Sequence, residues 1–323
     1  TDAPTRARLH LVQHLRRFAS EELLLPDNQS YRSYADLERD FVVWNVFATP
    51  ELSLQPINWC FLVVGCLDYR GYFSRVDAER FAAELRQQGN DVYVGGVTAY
   101  STLGWFDDPV LNTMLRWGDT RLAEVLFHEL AHQRLYIKDD TAFNEAFATA
   151  VAQAGLHRWL KSAVDDATEA KALNEQARSS AFVRLTGKTR KMLETVFISE
   201  RSDSQKRAEK KRAYAELSKR YANFKSVWND YRGYDEWMQD LNNAKLQSIA
   251  TYHEAVGAFE NLLLLANQEI DAFYIHATAI SKLPADTRHA CLDALAALAA
   301  LAARQRLHSR SRTPPVFSTH DDV

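Results

Sequence analysis

The chain has 323 residues, 46% hydrophobic and 25% charged, with a formal net charge of −3. That length holds one large domain or two modest ones with a real apolar core, and the near-neutral charge argues against a general nucleic-acid binder. The longest apolar run, 291–303, is broken by Asp293 and too short to span a bilayer.

In chain order, Leu9, Leu11, Val12, Leu15, Phe18 and Leu23 form a rough apolar face and predict a helix over 1–25. A second helix is expected over 31–48. Residues 59–64 and 91–99 are rich in valine and aromatic side chains and read as strands. Gly95 and Gly96 inside the second strand mark a close backbone approach. Residues Trp105-Phe106-Asp107-Asp108-Pro109 read as a turn that could wall a cleft.

The next helix is predicted over 120–137, with Asp119 or Thr120 as N-cap and Leu122, Val125 and Leu126 at helical spacing. It contains His128-Glu129-Leu130-Ala131-His132, an H-E-x-x-H sequence. Residues four apart share a helix face, so the two imidazoles can bind one Zn²⁺ together. Glu129 stands beside the first of them and can act as general base toward a water at the metal. The alternative is a pair of satisfied core histidines. It fits poorly, because burying two imidazoles and a carboxylate without partners costs several kcal/mol.

A catalytic zinc wants a third protein ligand and an open position. No third histidine follows closely: Leu135 and Lys138 stand three and six residues beyond His132. A further helix capped by Asp140 or Thr141 is predicted to end at Gly155. Glu145 falls in its first turns, and a tight helix hairpin would return it to His128 and His132 as a His₂Glu set. A carboxylate favoured by the helix N-terminus is the other reading of Glu145. Asp139 and Asp140 are expected to cap the turn or face solvent.

Beyond 156 the chain reads as almost wholly helical, charge-rich over 175–232. The basic run Lys206, Arg207, Lys210, Lys211 and Arg212, mixed with Glu209 and Glu216, reads as a solvated face or a projecting helical hairpin. Trp228, Tyr231, Tyr234 and Trp237 read as a packing corner. Asn242 and Asn243 could bind substrate backbone or cap a helix. The whole is an α+β, mostly α-helical fold: a small sheet in the N-terminal half, packed on the active-site helix pair, then a helical C-terminal half. The expected regions are a catalytic one over 1–155, a helical one over 156–305 that completes the cleft, and a disordered tail over 306–323.

Six stretches carry a family resemblance: SYRSYADLERDFVVWNVFATPELSL (30–54), WCFLVVGCLDYRGYF (59–73), DVYVGGVTAYSTLGWFDDPVLNTML (91–115), FHELAHQRLY (127–136), DTAFNEAFA (140–148) and LNNAKL (241–246). Occurring in order over most of the chain, they resemble a bacterial family of predicted zinc aminopeptidases of the gluzincin type. The resemblance implies a peptide substrate, Zn²⁺ on His128, His132 and Glu145, and Glu129 as catalytic base. One departure stands out. Many gluzincins place an aspartate four residues after the ligand glutamate to orient a ligand histidine. Thr149 stands there, so a backbone carbonyl or Asn144 would take that task.

Peptidases of this broad class hold substrate along an edge strand by β-addition. Gly96-Val97-Thr98-Ala99-Tyr100-Ser101 is the matching segment, with a packed strand carrying a glycine bulge as the other reading. A tyrosine or histidine often assists the metal in stabilising the oxyanion. Tyr252 is the candidate, in competition with Tyr100, Tyr136, His253 and His276. A free α-ammonium needs an acid near the cleft end, for which Asp107, Asp108 and Glu254 are open.

The resemblance also implies export. Relatives carry an extra N-terminal region, often with a lipoprotein-type signal, so a membrane anchor preceding Thr1 and a periplasmic or envelope location are expected; a cytoplasmic location stays open. In such a compartment Cys60 and Cys66 could form a small-loop disulfide. Otherwise they are two buried thiols. A second class of function remains beside the peptidase: an envelope scaffold or interaction protein with a structural or vestigial zinc site.

Overall fold

A computed structural model describes residues 2–61, 65–99, 101–163, 165–253 and 255–310, and the backbone alone for 163, 252, 253 and 299–310. The chain divides into two compact units, Thr1–Glu254 and Ala255–Val323. It is α+β and mostly helical, with the strands all in the N-terminal half among the described residues.

The first unit opens with α1 (Ala3–Glu21), capped by Asp2, which accepts from the Thr5 amide, and buried along Val12, Leu15 and Ala19. The helix expected over 31–48 does not form. That stretch holds β1 (Tyr34–Ala35) and most of β2 (Val43–Pro50). The reason is legible in its burial: β2 is covered on both faces, so its apolar run lacks the alternation that separates a strand from a helix.

A hairpin of β3 (Trp59–Phe61) and β4 (Gly65–Leu67) follows, closed by a Cys60–Cys66 disulfide. The expected strand over 59–64 is thus seen for its first half, and 62–64 lie outside the described residues. Then come β5 (Arg70–Tyr72), α2 (Arg75–Gln87), β6 (Asn90–Val97), β7 (Val110–Leu111) and α3 (Asn112–Leu115). Strands β5, β2 and β6 make an antiparallel sheet in that order, with β6 at an edge. One sheet face packs Val46, Ala48 and Val92 on Ala78, Ala82 and Leu85 of α2. Gly96 lets the Phe41 ring lie against the strand, where a Cβ would come within 2.5 Å of it.

Two helices, α4 (Asp119–Arg134) and α5 (Thr141–Ala163), pack on each other through Leu122, Leu126, Phe127, Phe143 and Phe147, all fully buried. The N-cap of α4 is Gly118, with Asp119 the first helical residue, its carboxylate held by Arg8. Nor does α5 stop at Gly155. Its last two turns run on to Ala163 because Gly155 is a packing position, where a Cβ would lie 2.9 Å from the Phe127 ring.

Long helices α6 (Asp166–Ile198) and α7 (Asp203–Val227) pair as a hairpin. Phe182, Leu193, Leu217 and Tyr221 form its core, with Trp228, Tyr234 and Trp237 packed against it, so the aromatic corner is structural. Two members of the basic run have partners outside their own helix. Arg207 forks onto the Glu51 carboxylate, and Lys210 reaches Asp91 at 2.6 Å and the Glu51 carbonyl at 2.8 Å. They tie α7 to the end of the sheet.

The first unit closes with α8 (Asn243–His253), which packs on α5, β2 and β6. Both asparagines at its start have structural tasks. Asn242 Oδ1 accepts from the Lys245 amide, and Asn243 Nδ2 donates to the carbonyls of Glu51 and Ser53 at 2.9 Å. The second unit is built of α9 (Val256–Leu265), α10 (Ile270–Ser281) and α11 (Ala285–Arg310). Residues 311–323 of the expected tail lie outside the described residues, whereas 306–310 continue α11. Among the described residues no helix is long and apolar enough to cross a membrane.

Candidate metal centre

On α4, His128 and His132 stand one turn apart and turn the same way, with their Nε2 atoms 3.1 Å apart. The chain then reverses in a turn built by its own side chains. Asn144 accepts from the Ile137 amide at 2.8 Å and donates to the Ile137 carbonyl at 2.7 Å. Asp140 caps α5 by accepting from the Phe143 amide at 3.0 Å. Asp139 takes the left-handed conformation, with φ of 66°, that the reversal needs.

This hairpin returns Glu145 to the histidines. Its Oε2 lies 3.2 Å from His128 Nε2 and 3.7 Å from His132 Nε2. The three donor atoms fall within 4.8 Å of one another and could hold a metal ion. The spacing suits that ion: with bonds of about 2.0–2.1 Å, ligand atoms at the corners of a tetrahedron stand roughly 3.3 Å apart. Two imidazoles and a carboxylate are also the donor chemistry of a catalytic zinc.

The electrostatics agree. Burial pushes the Glu145 carboxyl up, but the two imidazoles outweigh it and hold the group down at about 2. Burial works to lower His132, yet the Glu145 and Glu129 carboxylates leave it above its ordinary value. His132 Nδ1 is buried and has no hydrogen-bond partner among the described residues. Asn144 does not orient it, being spent on the turn, and Thr149 occupies the wall one turn beyond Glu145.

Glu129 is not part of the donor cluster but lines the same cavity. Desolvation raises its carboxyl above the usual range, against the pull of His128 and His132. The cavity has a volume of about 650 Å³. Its walls are the second face of the β5-β2-β6 sheet, Phe61 and Leu67 of the disulfide hairpin, the α4–α5 pair, and Ser248 and Ile249 of α8.

The chain matches the model of the family described as "Putative aminopeptidase" over residues 1–292. It belongs to that family. No curated protein and no solved structure matches it at a significant level.

For a member of an aminopeptidase family, the remaining expected residues distribute as follows. Gly96, Val97, Thr98, Ala99 and Ser101 line the cavity beside the edge strand, though the Thr98 carbonyl already accepts from Thr113 Oγ1 at 2.6 Å. Tyr100 and Glu254 lie outside the described residues, as do the side chains of Tyr252 and His253. Tyr136 lines the cavity, its ring 6.5 Å from that of His132, whereas His276 belongs to the second unit.

Asp107 and Asp108 do not line the cavity. Asp108 is buried and its carboxylate accepts from the Thr102 amide at 2.9 Å, and Asp107 is exposed. Trp105 and Phe106 point to solvent at 74% exposure, so the wall on that side is Ser101 and Leu103 instead. Among the described residues, the lining carboxylate beyond Glu129 and Glu145 is Glu124, paired with Arg121 one helical turn before His128. Asn45 was also missed. The signal was present, since a lone amide in a run of valines and aromatics is out of place unless it faces something polar.

Proposed function

We propose that this chain is a zinc-dependent peptidase acting as an aminopeptidase. The observation that carries the reading is the convergence of the His128, His132 and Glu145 donor atoms within 4.8 Å on the wall of a cavity that Glu129 shares. Family membership supports the same chemistry.

His128, His132 and Glu145 would hold the zinc. When bound, zinc supplies a Lewis acid that makes water acidic near neutral pH and polarises a carbonyl. Glu129 accepts a proton from the attacking water and delivers it to the leaving amine. Its raised carboxyl suits both halves of that transfer. The apolar sheet face excludes water from the scissile bond, and β6, as an edge strand, supplies a border along which extended substrate can lie. Glu124 offers a charge for a free α-ammonium, with Arg121 setting its orientation.

A structural zinc in an interaction protein is disfavoured by the donor count. Such sites usually close with a fourth protein ligand and need no general base, and the cluster among the described residues has three. An envelope location follows from the resemblance and suits a chain with a Cys60–Cys66 bridge.

The test is zinc stoichiometry together with hydrolysis of free and N-acetylated peptides. One zinc per chain, and cleavage confined to free N-termini, are expected. Cleavage of acetylated peptides would make the enzyme an endopeptidase, and zinc binding without any cleavage would defeat the peptidase reading.

A further inference from the structure

The cavity-facing side of the sheet is mostly aliphatic, aromatic and glycine, with one carboxamide set in it. On β2 that face consists of Val43, Asn45 and Phe47, and opposite them on β6 stand Val97, Gly95 and Tyr93. Asn45 holds the centre of the central strand. Both of its cross-strand partners are glycines, Gly71 on β5 and Gly95 on β6. It is 4% exposed, and its carboxamide makes no hydrogen bond among the described residues.

A primary amide is an unusual choice for the middle of a sheet, where β-branched and aromatic side chains pack best. Its surroundings keep it open. A Cβ at Gly71 would come within 3.3 Å of Asn45 Oδ1, and one at Gly95 within 3.1 Å of the Tyr93 ring. Glycine at both places therefore leaves a shallow floor that exposes the Asn45 carboxamide beside the Tyr93 hydroxyl, flanked by the Phe47 and Tyr93 rings, which lie 6.1 Å apart. Few polar groups on an apolar wall are how a pocket orients a mostly apolar ligand. A carboxamide both donates and accepts, which matches the paired C=O and N–H of a peptide backbone.

We propose that Asn45 is a substrate-binding residue whose carboxamide hydrogen-bonds the main chain of a peptide, while that peptide's large apolar side chain rests against Phe47 and Tyr93. This rests on the peptidase reading of the same cavity. It assigns substrate preference to the sheet, opposite in role to the helix pair that holds the metal.

The zinc-loaded enzyme is tested with phenylalanyl-dialanine and glycyl-dialanine. Asn45→Val should raise KM for the first by about tenfold, the scale of one hydrogen bond to a bound ligand, with kcat changed far less. Its thermal midpoint should hold or rise, because valine packs better than asparagine at a central strand position. Placed in a Glu129→Gln background, the same substitution should weaken calorimetric binding of phenylalanyl-dialanine by a similar factor. Should Asn45→Val fail to fold, Gly71→Ala covers the amide without removing it and should raise KM in the same way.

Unchanged KM and unchanged binding, with wild-type turnover intact, would overturn the role of Asn45 and leave the peptidase reading standing. Equal KM for the two tripeptides would overturn the apolar contact. A wild type that cleaves neither would defeat the peptidase reading, and the binding arm would then decide on Asn45 alone.

Discussion

The backbone amide of Cys66 donates to Asp139 Oδ1 at 2.7 Å. Asp139 lies in the turn between α4 and α5, which carries the chain from His132 to Glu145. The β3–β4 hairpin is therefore pinned on the turn that brings Glu145 to the candidate metal cluster. Gly65, with φ of 82°, makes the close approach possible, since a Cβ there would overlap the Asp139 carboxylate.

Loss of the disulfide should loosen that hairpin. Closing a loop of six-residue separation is worth about 2 kcal/mol in the chain-entropy account. Cys60→Ser is expected to lower the denaturation midpoint accordingly while metal content stays at the wild-type level. KM should rise, because Phe61 and Leu67 of the hairpin line the cavity. Denaturant titration checks the first part, and an unchanged midpoint would show that the bridge carries no stability.

Glu129→Gln keeps the shape of the side chain and removes its proton-accepting charge. Hydrolysis should fall by about 10²–10⁴-fold, the usual contribution of a positioned general base. Zinc content should not change, because Glu129 stands outside the donor cluster. Retained turnover in this variant would rule out the assigned role.

Metal binding should be coupled to stability through Glu145. Zinc at a hundred times its dissociation constant should stabilise the wild-type protein by about 2.7 kcal/mol. Glu145→Ala removes one of the three donors and should lose most of that gain at the same zinc concentration. Thermal melts with and without a chelator read the difference. Equal shifts in both proteins would exclude Glu145 as a ligand.

Gly155→Ala sets two effects against each other. Within α5 the alanine favours helix by about 1 kcal/mol, but its methyl would meet Leu23 and Phe127, both fully buried. Overpacking typically costs about 1–3 kcal/mol, so a net loss of stability is expected in equilibrium denaturation. A gain would mean that the α1–α4–α5 contact can relax freely.

Asp68 gives a pH dependence of known sign. Burial pushes its carboxyl up from 3.8, against hydrogen bonds from Thr251 and Asn58. A carboxyl raised in the folded state adds stability that is complete below its unfolded value and is lost as pH rises through the folded one. At pH 7 the ionised group is therefore a burden. Asp68→Asn should be more stable than wild type at pH 7, and the advantage should shrink as pH falls toward 4. Parallel curves at the two pH values would contradict it.

The motif on α4 was legible from the sequence because a helix places residues four apart on one face wherever it lies, so the pairing of His128 with His132 is a local property. The helical character of α6 and α7 was legible too, from a charge-rich stretch with few breakers, with a hairpin as one of two readings of it. Glu145 could be suggested from its distance along the chain, but its approach depends on the Asn144 and Asp140 bonds that shape the turn. Residues 31–48 misled because a strand buried on both faces shows no period. Asn45 stood out locally as an amide in an apolar run, but its place in the cavity floor comes from Gly71 and Gly95, which are 26 and 50 residues away in the chain and adjacent only across the sheet. The sequence by itself determined the chemistry on offer, two imidazoles and a carboxylate base at helical spacing. Tertiary structure alone decided which distant groups close around them, because the cross-strand register, the Cys66–Asp139 contact and the cavity are set by packing between elements and not by any periodicity within one.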